Sequence, residues 1–228
     1  MKTLITSLLA LWPLGVMAQE KPKIDLSIDF ASAYVWRGEQ VGTACVQPEV
    51  TVSYKGFYLS AWGSTGFNSE EPKEIDLTLG YETGGFSVSV ADYWTAGDIG
   101  YFHYGATNTL HTFEAQVGYD FGMLALNWFT NIAGYDGVNA KGNRAYSSYV
   151  SLEVPFTLAG LECVAKLGAV PYATDYYYDG VNGFVISDVG LEVEKEILVT
   201  DRFSLPLFAR VGWNPATEGA YFVCGLSF

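Results

Sequence analysis

The chain has 228 residues, a formal net charge of −13 and only 16% charged residues, while 50% are hydrophobic. So acidic a chain repels phosphates, which excludes nucleic acid as a partner. Beyond residue 18 no apolar run is long enough for a membrane helix, and sixteen Tyr, fourteen Phe, six Trp and twenty-five Gly favour strands and turns over helices.

Residues 1–18 read as a cleaved signal peptide. Lys2 supplies the positive start, Leu4 to Val16 the apolar core, and Val16-Met17-Ala18 the cleavage site. Removing Lys2 takes the charge from −13 to −14. The remaining 19–228 has the length of one domain. Cys45, Cys163 and Cys224 are odd in number and lack metal-ligand spacing, so they read as small hydrophobes.

From Ile24 the chain alternates at period two. Ile24, Leu26, Ile28, Phe30, Tyr34 and Trp36 share one face, and Asp25, Ser27, Asp29, Ala31 and Ala33 the other. Arg37-Gly38 then opens a loop. The second strand, Val46 to Tyr54, sets Val50, Val52 and Tyr54 against Gln47, Glu49 and Thr51, and Lys55-Gly56 is a tight turn. Further strands follow at Phe57–Thr65, Lys73–Glu82, Phe86–Trp94, Leu110–Asp120, Met123–Ala133 and Arg144–Val154. The last four are Leu161–Val170, Gly183–Glu194, Phe203–Trp213 and the terminal segment.

Those are twelve strands, each long enough to cross a bilayer when tilted. Short turns (Lys55-Gly56, Thr83 to Gly85, Phe121-Gly122, Thr157 to Gly160) alternate with longer loops, chiefly Thr95 to Thr109, Gly134 to Asn143 and Tyr172 to Asn182. This asymmetry and the apolar phase predict a transmembrane antiparallel up-and-down β-barrel with a polar interior. Tyr54, Phe57, Tyr81, Phe86, Tyr119 and Phe228 would form one aromatic girdle, and Trp36, Trp94, Tyr146 and Trp213 the other. Pro48, Pro155 and Pro171 are expected at strand ends, where a missing amide does least harm. A soluble sandwich would put its charged face outward, whereas twelve strands of Leu, Val, Phe and Trp would overfill a small closed interior.

The final stretch, 219–228, alternates Ala220, Phe222, Cys224, Leu226 and Phe228 against Tyr221, Val223, Gly225 and Ser227. A strand ending on Phe resembles the closing strand of bacterial outer-membrane barrels. The resemblance implies recognition of 219–228 by the barrel-assembly machinery and a place in outer-membrane lipid. A second resemblance is carried by Ser32-Ala33-Tyr34-Val35-Trp36-Arg37-Gly38, Gln47-Pro48, Ala61-Trp62-Gly63-Ser64 and Lys73-Glu74-Ile75-Asp76-Leu77 with Gly80-Tyr81. Asp92-Tyr93-Trp94, Tyr101-Phe102-His103-Tyr104 and His111-Thr112-Phe113-Glu114-Ala115 continue it. Over residues 26 to 130 this set is similar to the TorF-type porin family, small bacterial outer-membrane β-barrel proteins with an older conserved-hypothetical label. It implies fold and location more than mechanism.

The polar phase should line a lumen. It holds Glu49, Glu74, Asp76, Glu114, Asp120, Glu153, Glu162, Asp188, Glu192 and Glu194, against Lys166 and Arg210, with Arg37 at the rim. Fixed carboxylates in a narrow water path concentrate cations, so the sequence predicts diffusion of small solutes or ions with a preference for cations. Two alternatives stay open: a lumen plugged by paired charges, and a closed barrel that is structural or binds a partner through 95–109 and 172–182. Gly80, Gly118, Gly190 and Gly225 recur on the lumen phase near the short turns, where they would widen the mouth or let strands bend.

Catalysis has little to work with. His103 and His111 are the two histidines, Ser64 is a conceivable partner for His111, and no Gly-x-Ser-x-Gly occurs. A lipid-acting barrel enzyme would need that pair. Glu74 and Asp76 could share a proton or bind a cation, and Asp175 and Asp179 could hold Ca²⁺ between loops. No cofactor is expected.

Overall fold

The computed structural model describes residues 21–106, 108–178, 180–201 and 203–228. The signal-peptide segment 1–18 and Asp179 lie outside the described residues. All regular elements among the described residues are strands: β1 (Lys23–Ala31), β2 (Tyr34–Trp36), β3 (Glu39–Gly42), β4 (Cys45–Tyr54), β5 (Phe57–Gly66), β6 (Lys73–Thr83) and β7 (Phe86–Thr95). They continue with β8 (His111–Asp120), β9 (Ala125–Gly134), β10 (Ser148–Leu158), β11 (Leu161–Val170), β12 (Val185–Thr200), β13 (Phe203–Asn214) and β14 (Gly219–Ser227). β1 and β4–β14 close a twelve-stranded antiparallel barrel in sequence order, and β2 and β3 form a separate two-stranded sheet.

Turn chemistry sets the register at one end. Lys55-Gly56, Gly84-Gly85 and Ala159-Gly160 each hold two successive residues at positive φ, the geometry that matches the twist of a two-residue hairpin. Residues 32–44, 67–72, 96–110, 135–147, 171–184 and 215–218 connect strands at the other end. Closure needs the first and last strands to meet. Asp29, Phe30 and Ala31 pair with Ser227, Leu226 and Gly225, and Ile28 and Phe228 exchange two backbone hydrogen bonds of 2.9 and 3.0 Å.

The pleat sorts the side chains. Ile24, Leu26, Leu59, Leu79, Val117, Leu158, Val211 and Phe222 are exposed on the outside, with Leu26 at 76%. Inside, Ser60, Ser89, Glu114, Asn127, Asn131, Ser151, Glu153 and Asp188 are buried. A soluble sheet would invert this order. An apolar belt around a closed ladder of paired strands is the surface lipid requires.

Several expectations are corrected. The first strand leaves the wall at Ala31 rather than continuing to Trp36, so Tyr34 and Trp36 turn inward and Trp36 joins no girdle. β12 runs to Thr200, because Ile197, Leu198 and Val199 extend the ladder with β13 past its β11 neighbour. Residues 144–147 are loop, held by Asp136 accepting from the amides of Tyr146 and Ser147. Pro48 and Pro155 sit within strands rather than at their ends. Pairing between β4 and β5 lapses at Gln47-Pro48, where the ladder loses a donor.

Three of the four lumen glycines are covered by neighbouring side chains rather than left open, whereas a Cβ on Gly190 would meet nothing closer than 3.5 Å. A Cβ on Gly80 would strike the Tyr58 ring, and one on Gly225 the Phe208 ring. Tyr58 is the direct cross-strand partner of Gly80, and Phe208 of Gly225. Each ring lies over the bare backbone opposite, which is the cross-strand packing that rescues a glycine in a sheet. Gly118 is covered by Asn127 and Ser87.

Candidate lumen and its internal plug

Between β1 and β4 the chain makes an inward excursion. The β2–β3 hairpin enters the interior, where its tip Gly38 meets β12 and β13 and the Arg37 side chain reaches across to β8. Gly38 lies so close to the Ser187 carbonyl of β12 that no side chain fits there, and Asn214 of β13 donates to the Gly38 carbonyl at 3.2 Å. Tyr178 donates to the Arg37 carbonyl at 2.7 Å. The base of the excursion packs on β13 and β14 through Ala31, Ala33, Cys45, Phe208, Tyr221 and Val223.

Arg37 is therefore buried, not at the rim. Its guanidinium forms two hydrogen bonds of 2.7 Å to the two oxygens of Glu114 and a third of 2.5 Å to the Tyr177 hydroxyl. The fork geometry matches a carboxylate, so the pair is bidentate. Tyr93 donates to the same carboxylate at 2.8 Å. The rings of Trp36, Phe129 and Tyr149 lie 4.5, 4.6 and 4.8 Å from the guanidinium carbon, within cation–π range. The 171–184 loop folds over this tip: Tyr177 is fully buried with Tyr149, Val170 and Val181.

A second buried network lies on the same side. Asp188 accepts from Arg210 at 2.8 and 3.0 Å, from Tyr221 at 2.7 Å and from Tyr149 at 3.2 Å. Lys166 stands 3.6 Å from Asp188 and 3.9 Å from Glu153. Charge here is matched: Arg37 with Glu114, and Arg210 and Lys166 with Asp188 and Glu153.

The opposite wall differs. Glu49 is held by hydroxyls, Ser60 at 2.5 Å and Thr51 at 3.2 Å. Glu74 and Asp76 on β6 are half-buried neighbours on one face, beside Tyr34. Among the described residues none of these three forms an ion pair, and one Asp76 oxygen is buried without a hydrogen-bond partner. Glu192 pairs in register with Arg210 across β12–β13, although the Arg210 guanidinium is turned to Asp188.

The two remaining chemical candidates separate. Ser64 faces the lumen, where it accepts from Gln47 at 3.4 Å. His111 lies on the outward phase of β8 under the 96–110 loop, between Asp92 at 2.7 Å and the Tyr101 carbonyl at 2.5 Å, stacked on Tyr104. The barrel wall stands between Ser64 and His111, and both ring nitrogens are engaged. Asp175 caps the Val138 amide at 2.5 Å, and no cluster of three metal-ligating side chains occurs among the described residues.

Of the residues predicted from the polar phase, Arg37 and Glu114 meet, as do Glu153, Lys166, Asp188 and Arg210. Sequence periodicity misses Tyr93, Phe129, Tyr149, Tyr177 and Tyr221. Four of these are rings on a strand phase expected to be polar and small, and Tyr177 lies in the 171–184 loop. The available signal was the tyrosine hydroxyls and the Tyr176-Tyr177-Tyr178 run, with an otherwise unmatched Trp36-Arg37-Gly38.

No family model matches the chain, and no curated protein does. Among solved structures, the crystal structure of Pseudomonas aeruginosa OccK2 (OpdF) is similar at 13% identity with a TM-score of 0.37. The match covers 87% of this chain and 61% of that one, so the chain spans less than two thirds of its neighbour's length.

Proposed function

We propose that this chain is an exported bacterial outer-membrane barrel, of the TorF-type porin kind, through which small solutes diffuse with cations favoured over anions. The observation that carries the reading is the unneutralised wall. Glu49, Glu74 and Asp76 are partly accessible and lack basic partners, whereas the acids deep in the opposite wall are cancelled by Arg37, Lys166 and Arg210. Fixed negative charge in a narrow path sets a local potential that admits cations and delays anions. The hairpin limits size, so conductance should fall well below that of an unobstructed barrel of the same strand number.

Assembly through the 219–228 strand and residence in outer-membrane lipid belong to the same proposal, supported by the apolar exterior. A closed, structural or partner-binding barrel is the second reading. The specific observation in its favour is the plug made by 34–42 and 171–184.

Planar-bilayer recording of the refolded protein under a KCl gradient decides between them. Steady small steps with a cation-selective reversal potential, reduced in Glu74→Gln/Asp76→Asn, are expected. A folded, heat-modifiable barrel that never conducts would move the assignment to the closed reading.

A further inference from the structure

Arg37 is held in the lumen as a receptor holds a ligand. Four of the groups around it, Glu114, Tyr93, Phe129 and Tyr149, belong to the barrel wall, and Tyr177 comes from the 171–184 loop. Of the surrounding rings, Trp36 alone travels with the hairpin. The hairpin itself shares no ladder with the barrel. Its tip is fastened by side-chain contacts and by Asn214 and Tyr178 on its carbonyls. Arg37 also adopts φ 50°, a left-handed conformation that a non-glycine residue holds only when its surroundings impose it. A free ligand with the same head group would carry none of that strain.

We propose that the cage around Glu114 is a guanidinium-binding site of the lumen, occupied in cis by Arg37, and that free guanidinium compounds such as an arginine side chain displace the hairpin tip and widen the path. This rests on the conducting-lumen reading above. The chemistry selects guanidinium over ammonium. A planar fork satisfies both Glu114 oxygens at once and stacks on the aromatic faces, whereas an ammonium is a point charge that does neither as well. The tethered Arg37 has a high effective concentration, so competition needs free ligand on the order of millimolar or above.

Arg37→Ala empties the cage while keeping the hairpin. Binding of methylguanidinium to the refolded variant is read by intrinsic tryptophan fluorescence, with Trp36 as the adjacent reporter, and methylammonium is the control. Saturable binding is expected, about tenfold tighter than methylammonium for one added charge-assisted hydrogen bond, and lost in Arg37→Ala/Glu114→Gln. In the unaltered protein, methylguanidinium should raise single-channel conductance where methylammonium at equal concentration does not. Absence of selective binding to a folded Arg37→Ala barrel overturns the site. Selective binding there with unaltered-protein conductance indifferent to methylguanidinium overturns the displacement, leaving the hairpin a permanent plug. Should Arg37→Ala not refold, the conductance comparison on the unaltered protein decides alone. A barrel that conducts in KCl but ignores methylguanidinium defeats only this proposal, whereas one silent in KCl defeats the conducting reading itself.

Discussion

The two walls of the lumen carry acids of the same kind and treat them differently. On β8, β10 and β12, Glu114, Glu153 and Asp188 are buried and each faces a cation. On β4 and β6, Glu49, Glu74 and Asp76 are partly accessible and face hydroxyls or one another. Burial explains the division. A carboxylate removed from water must be paired or it destabilises the fold, while Glu49, Glu74 and Asp76 keep part of their surface exposed and stand beside hydroxyls and each other, with one Asp76 oxygen buried and unpartnered. Paired and unpaired acids are thus separated around the barrel, with the tip of the hairpin fastened to the paired side and Tyr34 of β2 facing the unpaired one.

The largest test of this contrast removes one partner from the paired wall. Asp188→Ala strands Arg210 in a buried site and leaves Lys166 with Glu153 alone, and loss of one member of a buried pair costs about 3–5 kcal/mol. A correspondingly lower urea midpoint of the refolded barrel is expected, with ion selectivity little changed in whatever fraction folds. Glu74→Gln/Asp76→Asn should do the opposite, leaving the midpoint within about 1 kcal/mol of the starting protein while shifting the reversal potential toward zero. If both variants moved stability and neither moved selectivity, the division between the walls would collapse.

Next in size is the cross-strand packing near the short turns. Gly80→Ala drives a methyl group into the Tyr58 ring, and overpacking of this sort costs about 1–3 kcal/mol. Replacing Tyr58 by Ser in the same background should recover part of the loss, because the two residues are direct partners and their effects cannot be additive. Additive losses in urea titrations of the single and double variants would mean that the glycine serves backbone curvature instead.

Period-two alternation carried most of the fold: all twelve wall strands, the short-turn end and the lipid-facing phase were legible. Tyr34-Val35-Trp36 was not. It keeps the apolar alternation of β1 while leaving the wall, because alternation reports which residues share a face and not which sheet they join. The same limit hid the site. Arg37, Glu114, Lys166 and Arg210 could be picked as lumen charges, but their pairing depends on contacts such as Arg37 to Tyr177, 140 residues apart in sequence, which no local pattern encodes. Lumen-facing tyrosines were missed because a ring with a hydroxyl reads as apolar in a pattern yet serves as a donor inside.

The smallest effect concerns how the hairpin leaves the wall. At its return, Glu71 accepts from the Thr43 amide at 2.9 Å and from its hydroxyl at 2.6 Å, joining the 67–72 loop to the end of β3. The Thr43 hydroxyl, and then its amide, hold the Glu71 carboxyl below its ordinary value. A carboxyl whose folded value is depressed contributes stability above its unfolded value and loses it as pH falls through the folded one. Acidification below the ordinary carboxylate range should therefore loosen this contact while the Arg37–Glu114 pair, buried from solvent, still holds the tip. Limited proteolysis within 67–72 on the folded barrel is the measurement. Cleavage should quicken on acidification, and Glu71→Gln should cleave faster at neutral pH with little further change in acid. Equal acid response in the variant would assign the loosening to another group and leave the hairpin anchored from its tip alone.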